Sequence, residues 1–202
     1  MRKAAILISW LFQPLLMPLY GALLFITMPI YSFRLMSAPL KGYILVCNAL
    51  FTLVLPVIGI FILYRNNLIG DIRMEKRSDR NLPVLFTLLS YGANFYFLGK
   101  VPLPHVYYLF LVSAMVSLFT VWVISFFWKI SMHMTGIGGL CGSVLLLNVL
   151  FASNLHLYLA LMFFIAGCIG SARLILDAHS PLQLVLGFTV GFLPQLLVLF
   201  VL

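Results

Sequence analysis

Acidic side chains are almost missing from this chain. Four Asp and Glu stand against 12 Lys and Arg in 202 residues, and charged side chains of both signs reach only 8%. An ordinary soluble domain gives about a quarter of its residues to charge, so this sequence cannot build an extended solvated surface. The same shortage excludes a nucleic-acid binder, which presents a solvated basic face; here the cations lie singly between apolar runs, with one exception. The formal net charge of +8 instead fits basic residues beside a membrane of anionic lipid. Cysteine is scarce too. Cys47, Cys141 and Cys168 each fall inside an apolar stretch, with no CxxC and no Cys/His set. No metal site is expected from them, and all three are expected to act as small packing residues.

What the chain has in abundance is hydrocarbon. Hydrophobic residues make up 64% and the mean hydropathy is +1.17. Apolar runs fall at Ala4 to Ile30, Gly42 to Tyr64, Val84 to Leu98, Pro104 to Trp128, Met134 to Phe151, Leu155 to Ile175 and Leu182 to Leu202. Most reach the roughly 20 residues needed to cross about 30 Å of hydrocarbon as helix. The expected fold is an all-α, polytopic transmembrane bundle of six or seven spans, forming a single integral membrane domain over residues 1–202. Val84 to Leu98 is short and carries Gly92 and Asn94, so both span counts stay open. Pro14 and Pro18 are expected to kink the first run. Arg2 and Lys3 before that run look like the start of a signal peptide, yet the run continues too far and lacks a small-residue cleavage site, so a retained first span is expected. No repeat or low-complexity linker divides the chain. The expected location is a bacterial inner membrane.

Charge near a membrane core costs about 2.5–3.5 kcal/mol per central Arg or Asp on insertion scales, so each polar cluster needs a reason. The one charged loop runs from Arg65 to Pro83. It contains Arg65, Arg73, Lys76, Arg77 and Arg80 with Asp71, Glu75 and Asp79, and its simplest reading is positive-inside topology with local pairs such as Glu75 with Arg73 or Arg77. A second cluster is Lys129 to His133. A third is Ser171 to His179, containing Arg173 and Asp177. From His179 the residues at fourfold steps are Gln183, Gly187 and Gly191, which would share one helix face whose glycines admit a neighbouring helix closely. His105, His156 and the span-end Trp and Tyr residues read as interfacial. Two apolar runs separate the charged loop from His133 and two more separate His133 from His179, so all three clusters can emerge on one membrane face.

In these residues the chain resembles the type 2 phosphatidic acid phosphatase superfamily, over a core of about residues 65–202. The family's third motif, Ser-Arg, five residues, His, three residues, Asp, is met by Arg173 and His179 in register, with Ser171 one place early and Gln183 at the Asp position. Its second motif, Pro-Ser-Gly-His, falls on Ile130, Ser131, Met132 and His133, keeping the serine and the histidine. Its first motif, Lys, six residues, Arg-Pro, is met in order but not in spacing by Lys76, Arg80 and Pro83. The resemblance implies a membrane lipid phosphate or pyrophosphate phosphatase that needs no metal or other cofactor. Lys76, Arg80, Ser131 and Arg173 would bind the phosphate, His179 would attack phosphorus, His133 would protonate the leaving alkoxide, and Gln183 would orient His179. Gln183 can accept from the imidazole but brings no negative charge. That departure keeps open an inactive, phosphatase-like protein that binds a phosphorylated lipid head group, or a transporter or scaffold on the same frame. The partners implied are membrane lipids and a phosphorylated lipid substrate; the oligomeric state is not legible.

Overall fold

Pro14 decides the shape of the first run. In the structure, a computed structural model that describes residues 1–72, 74, 76–152 and 154–200, helix α1 (Arg2–Leu11) stops two residues before Gln13, which is extended at φ −61°, ψ 138°. The residue before a proline is pushed out of the helical region, and Pro14 then opens a 3-10 turn over Pro14–Leu16. Helix α2 (Met17–Thr27) follows with Pro18 in its first turn, where a missing N–H breaks no bond. The first run is thus a broken helix rather than a kinked one. Next come α3 (Tyr31–Arg34) and α4 (Ala38–Asn48), joined through a π-helical stretch, Ala49–Val54, to α5 (Leu55–Arg65). Then follow α6 (Asn81–Leu98), α7 (His105–Ser125), α8 (Met132–Leu150), α9 (His156–Ile175) and α10 (Pro181–Leu197). Among the described residues there is no strand, and the architecture is an all-α helical bundle.

Six stretches are long and apolar enough to cross a membrane: Arg2–Thr27, Ala38–Arg65, His105–Ser125, Met132–Leu150, His156–Ile175 and Pro181–Phe200. The chain is accordingly an integral membrane protein. Helix α6 has 18 residues, about 27 Å of rise, but Asn81, Ser90 and Asn94 make it less apolar than those six. Side chains such as Phe127, Leu157 and Phe164 stand more than two-thirds exposed. Lipid covers such faces, so the helices need no polar side.

The chain divides into two compact units, Met1–Met17 with Ile130–Leu202, and Pro18–Lys129. In the second, Phe25 packs against Phe33, Tyr107 and Phe110 with centroids 4.9–5.3 Å apart. Buried beside them, Asn48 donates to the Tyr107 hydroxyl at 2.9 Å and to its own helix at Ile44 at 2.8 Å.

The first unit is organised by α8, 61% of which is buried. Its partner is α10, and glycine sets their separation. A β-carbon on Gly142 would lie 2.7 Å from the Phe192 carbonyl oxygen, and one on Gly187 2.7 Å from that of Ser131. On Gly138 and Gly191 it would collide with the carbonyls of Phe188 and Thr135. Backbone therefore meets backbone along the whole seam, which is how helices associate when the surrounding lipid removes the hydrophobic driving force.

Candidate functional site

The close α8–α10 seam brings two helix starts together. Ser131 caps α8, its hydroxyl accepting from the Met134 N–H at 3.5 Å, and its own N–H donates to the Gln183 carbonyl at 3.4 Å. Ser180 caps α10. Its side chain accepts from the Gln183 N–H at 3.4 Å while the Gln183 amide oxygen accepts from the Ser180 N–H at 3.2 Å, a reciprocal capping box. Pro181 at the first helical position holds Ser180 extended and starts the helix there. His179 consequently lies one residue before the cap, not on the α10 face with Gln183, Gly187 and Gly191 as the fourfold spacing suggests.

His179 and Gln183 nevertheless meet. Nδ1 of the imidazole lies 3.0 Å from the amide oxygen of Gln183. A backbone N–H points at the same atom, which fixes it as the oxygen of the amide. An oxygen of this kind only accepts, so Nδ1 carries a proton.

Arg173 sits in the last turn of α9, which ends in a Schellman motif: the Ala178 N–H bonds to the Arg173 carbonyl and the Asp177 N–H to that of Leu174, at 3.1 and 2.9 Å. Asp177 occupies the left-handed position at φ 52°, where glycine is usual. The motif turns the chain from α9 into His179. The guanidinium itself is poorly matched by the protein: one terminal nitrogen donates to the Ser9 hydroxyl at 3.3 Å, and Nε is buried without a partner. A guanidinium has five N–H donors and retains its charge, so a buried nitrogen without an acceptor favours a bound anion.

Ser9 also receives the fourth residue. His133, in the first turn of α8, has Nε2 3.2 Å from the Ser9 carbonyl oxygen. Because α1 ends at Leu11, that carbonyl is among the last four of the helix, which lack intrahelical partners. It can only accept, so Nε2 of His133 carries a proton. Residue types and spacing gave no sign of Ser9. The one available signal was a hydroxyl within the apolar stretch from Ala4 to Leu11, where a polar side chain is a cost.

No family model, curated protein or solved structure matches this chain. The site therefore stands on its own geometry.

One end of the first unit holds His133, Arg173, His179, Gln183 and Ser131, linked through Ser9 and through the capping bonds of α8 and α10. Ser131, expected to bind phosphate, is fully buried with its hydroxyl used as a cap. Lys76 and Arg80 belong to the other unit. There Lys76 is exposed, and Arg80 is 6% exposed, its Nε donating to the Met74 carbonyl at 2.9 Å. Arg77 donates to the Phe127 carbonyl at 2.6 Å, tying the charged loop to the end of α7. The pairing expected between Glu75 and Arg73 or Arg77 involves Arg73 and Glu75, which lie outside the described residues. His105 and His156 are the exposed first residues of α7 and α9.

Proposed function

We propose that this protein hydrolyses the phosphomonoester or pyrophosphate of a membrane lipid through a phosphohistidine at His179, as a multi-pass protein of a bacterial inner membrane. The observation that carries the reading is the His179 ring, held at Nδ1 by the Gln183 amide oxygen at 3.0 Å, in the segment that follows Arg173 and its buried, unpartnered Nε. Nε2 would attack phosphorus and form the N–P bond as the P–O bond to the lipid breaks. His133, in its protonated form, would pass the Nδ1 proton to the departing alkoxide. Water would then attack the phosphohistidine, giving its proton back to His133 and releasing inorganic phosphate with His179 restored. Arg173 would hold phosphoryl oxygens and the charge that grows on them.

The neutral amide of Gln183 favours a second reading, in which the same residues bind a phosphorylated head group without turnover. A carboxylate would stabilise the imidazolium formed during attack; an amide only orients it, and the equivalent loss in a serine protease costs about 10⁴ in turnover. Phosphate release from hexadecyl phosphate by purified protein, with divalent cations chelated, separates the readings. Hydrolysis that His179→Ala abolishes is expected. Binding that Arg173→Ala removes, without hydrolysis, would favour the second reading.

A further inference from the structure

The second unit buries a polar cluster that the proposed reaction does not use. Asn48 at the end of α4, Asn94 in the last turns of α6 and Tyr107 in the first turn of α7 are each at most 1% exposed. Polar side chains within a bundle of this kind are a cost, so their meeting needs a reason. One backbone atom fixes their orientations. The Ile44 carbonyl can only accept, so the Asn48 atom 2.8 Å from it is Nδ2, which also donates to the Tyr107 oxygen at 2.9 Å. Asn48 Oδ1 then faces Asn94, whose Nδ2 donates to it at 3.3 Å. The Asn94 Oδ1 is thereby turned away, and it is buried without a partner. Because the Tyr107 oxygen accepts from Asn48, its own O–H must donate elsewhere, and none of the bonds among the described residues takes that proton. The backbone is irregular at the same place: the π-helical stretch Ala49–Val54 begins at the residue after Asn48, and π turns inside helices occur frequently at functional sites. The buried hydroxyl of that stretch, Thr52, donates to the Asn48 carbonyl at 2.7 Å and so cannot serve Asn94.

We propose that Asn48, Asn94 and Tyr107 form a closed binding site for one water molecule, which donates to Asn94 Oδ1 and accepts from the Tyr107 hydroxyl. The site is independent of the hydrolysis proposed above. A clamp between three helices accounts for the bonds the cluster makes, but not for an acceptor and a donor left over in it. Those two groups select the ligand. A monovalent cation would satisfy the oxygen and face the hydroxyl proton, and an anion would do the reverse. Water meets both, and buried waters make about three hydrogen bonds to polar groups of this kind. Burial of all three side chains suits a molecule of that size and not a lipid hydroxyl, whose chain would need an opening.

Pulsed X-ray radiolysis of the full chain in detergent tests this, because it splits a bound water into hydroxyl radicals that oxidise the side chains beside it. Tyr107 should be oxidised although it is 0% exposed, and Phe33, also 0% exposed, should not. With heavy-oxygen water added just before the pulse, Tyr31, 76% exposed, should take up the heavy isotope at once. Tyr107 should take it up only after a delay, as the closed site exchanges. Asn94→Leu, close in size but apolar, should lose the oxidation of Tyr107 and keep that of Tyr31. Tyr107→Phe keeps the ring without the hydroxyl, and oxidation at position 107 should fall there too, so the test does not depend on one variant folding. Oxidation of Tyr107 no faster than that of Phe33 overturns the proposal, and so does heavy isotope at Tyr107 without delay, which would mean access from bulk solvent. A melting temperature that rises with sodium chloride but not with choline chloride, and loses that response in Asn94→Leu, would put a cation at the site and overturn it as well.

Discussion

Replacing Gln183 with leucine removes one acceptor and two hydrogen bonds. The Gln183 amide oxygen takes the His179 Nδ1–H at 3.0 Å and the Ser180 N–H at 3.2 Å, and each bond is worth about 0.5–1.5 kcal/mol net. Ser180 is exposed, so its N–H recovers a bond to water, and the expected loss of stability is about 1 kcal/mol. Turnover should fall much further. With no acceptor opposite Nδ1 the ring loses both its orientation and its tautomer. A barrier about 1.4 kcal/mol higher already costs tenfold, and loss of the equivalent carboxylate in a serine protease costs about 10⁴. Gln183→Glu is the informative partner because it keeps the chain length, and with it both bonds. Its charge lies in the first turn of α10, where an anion is worth about 0.3–1 kcal/mol, and beside the imidazolium that attack creates. It should therefore raise both the melting temperature and kcat. The assay is phosphate release from hexadecyl phosphate alongside a thermal melt in the same detergent. If Gln183→Leu keeps native turnover, the amide does not orient a nucleophile and His179 is not the attacking group.

Gly191→Ala should destabilise the first unit by about 1–3 kcal/mol, since its methyl would overlap the Thr135 carbonyl; a thermal melt checks this, with Gly42→Ala expected at or above native stability. Ser9→Ala removes the one side-chain acceptor that the described residues offer Arg173 and should weaken competitive inhibition by inorganic phosphate about tenfold, while Ser9→Thr, which keeps a hydroxyl, should restore most of it. Asp177→Gly relieves a left-handed side chain at the end of α9 and should raise stability by about 0.5–1 kcal/mol in the same melt.

Composition and run length together were enough for an all-α membrane bundle: lipid admits only helices or closed barrels, and continuous apolar runs of about 20 residues suit helices, whereas barrel strands are about 10 residues long and alternate. Local chemistry was legible where proline governed it. Pro14 announced a disturbance in the first run, although the extended Gln13 shows a full break. The α8–α10 seam was written in glycines at steps of three and four. Contacts that depend on where a helix stops were less legible. The free carbonyl of Ser9 exists because α1 ends at Leu11, and nothing in the spacing of Ser9 and His133, 124 residues apart, predicts their meeting. Gln183 was expected to reach His179 from one helix face. It reaches it from a capping box, because Ser180 caps the helix and Pro181 starts it, two residues after His179.

The proposed hydrolysis requires a covalent bond between His179 and phosphorus. Radiolabelled hexadecyl phosphate, mixed with purified protein and quenched at alkaline pH where phosphohistidine survives, tests it most directly. The label should map to the peptide containing His179, should be chased by unlabelled substrate at the rate of turnover, and should be absent in His179→Ala. Phosphate release at the native rate by His179→Ala, or label on any other residue, would contradict the account.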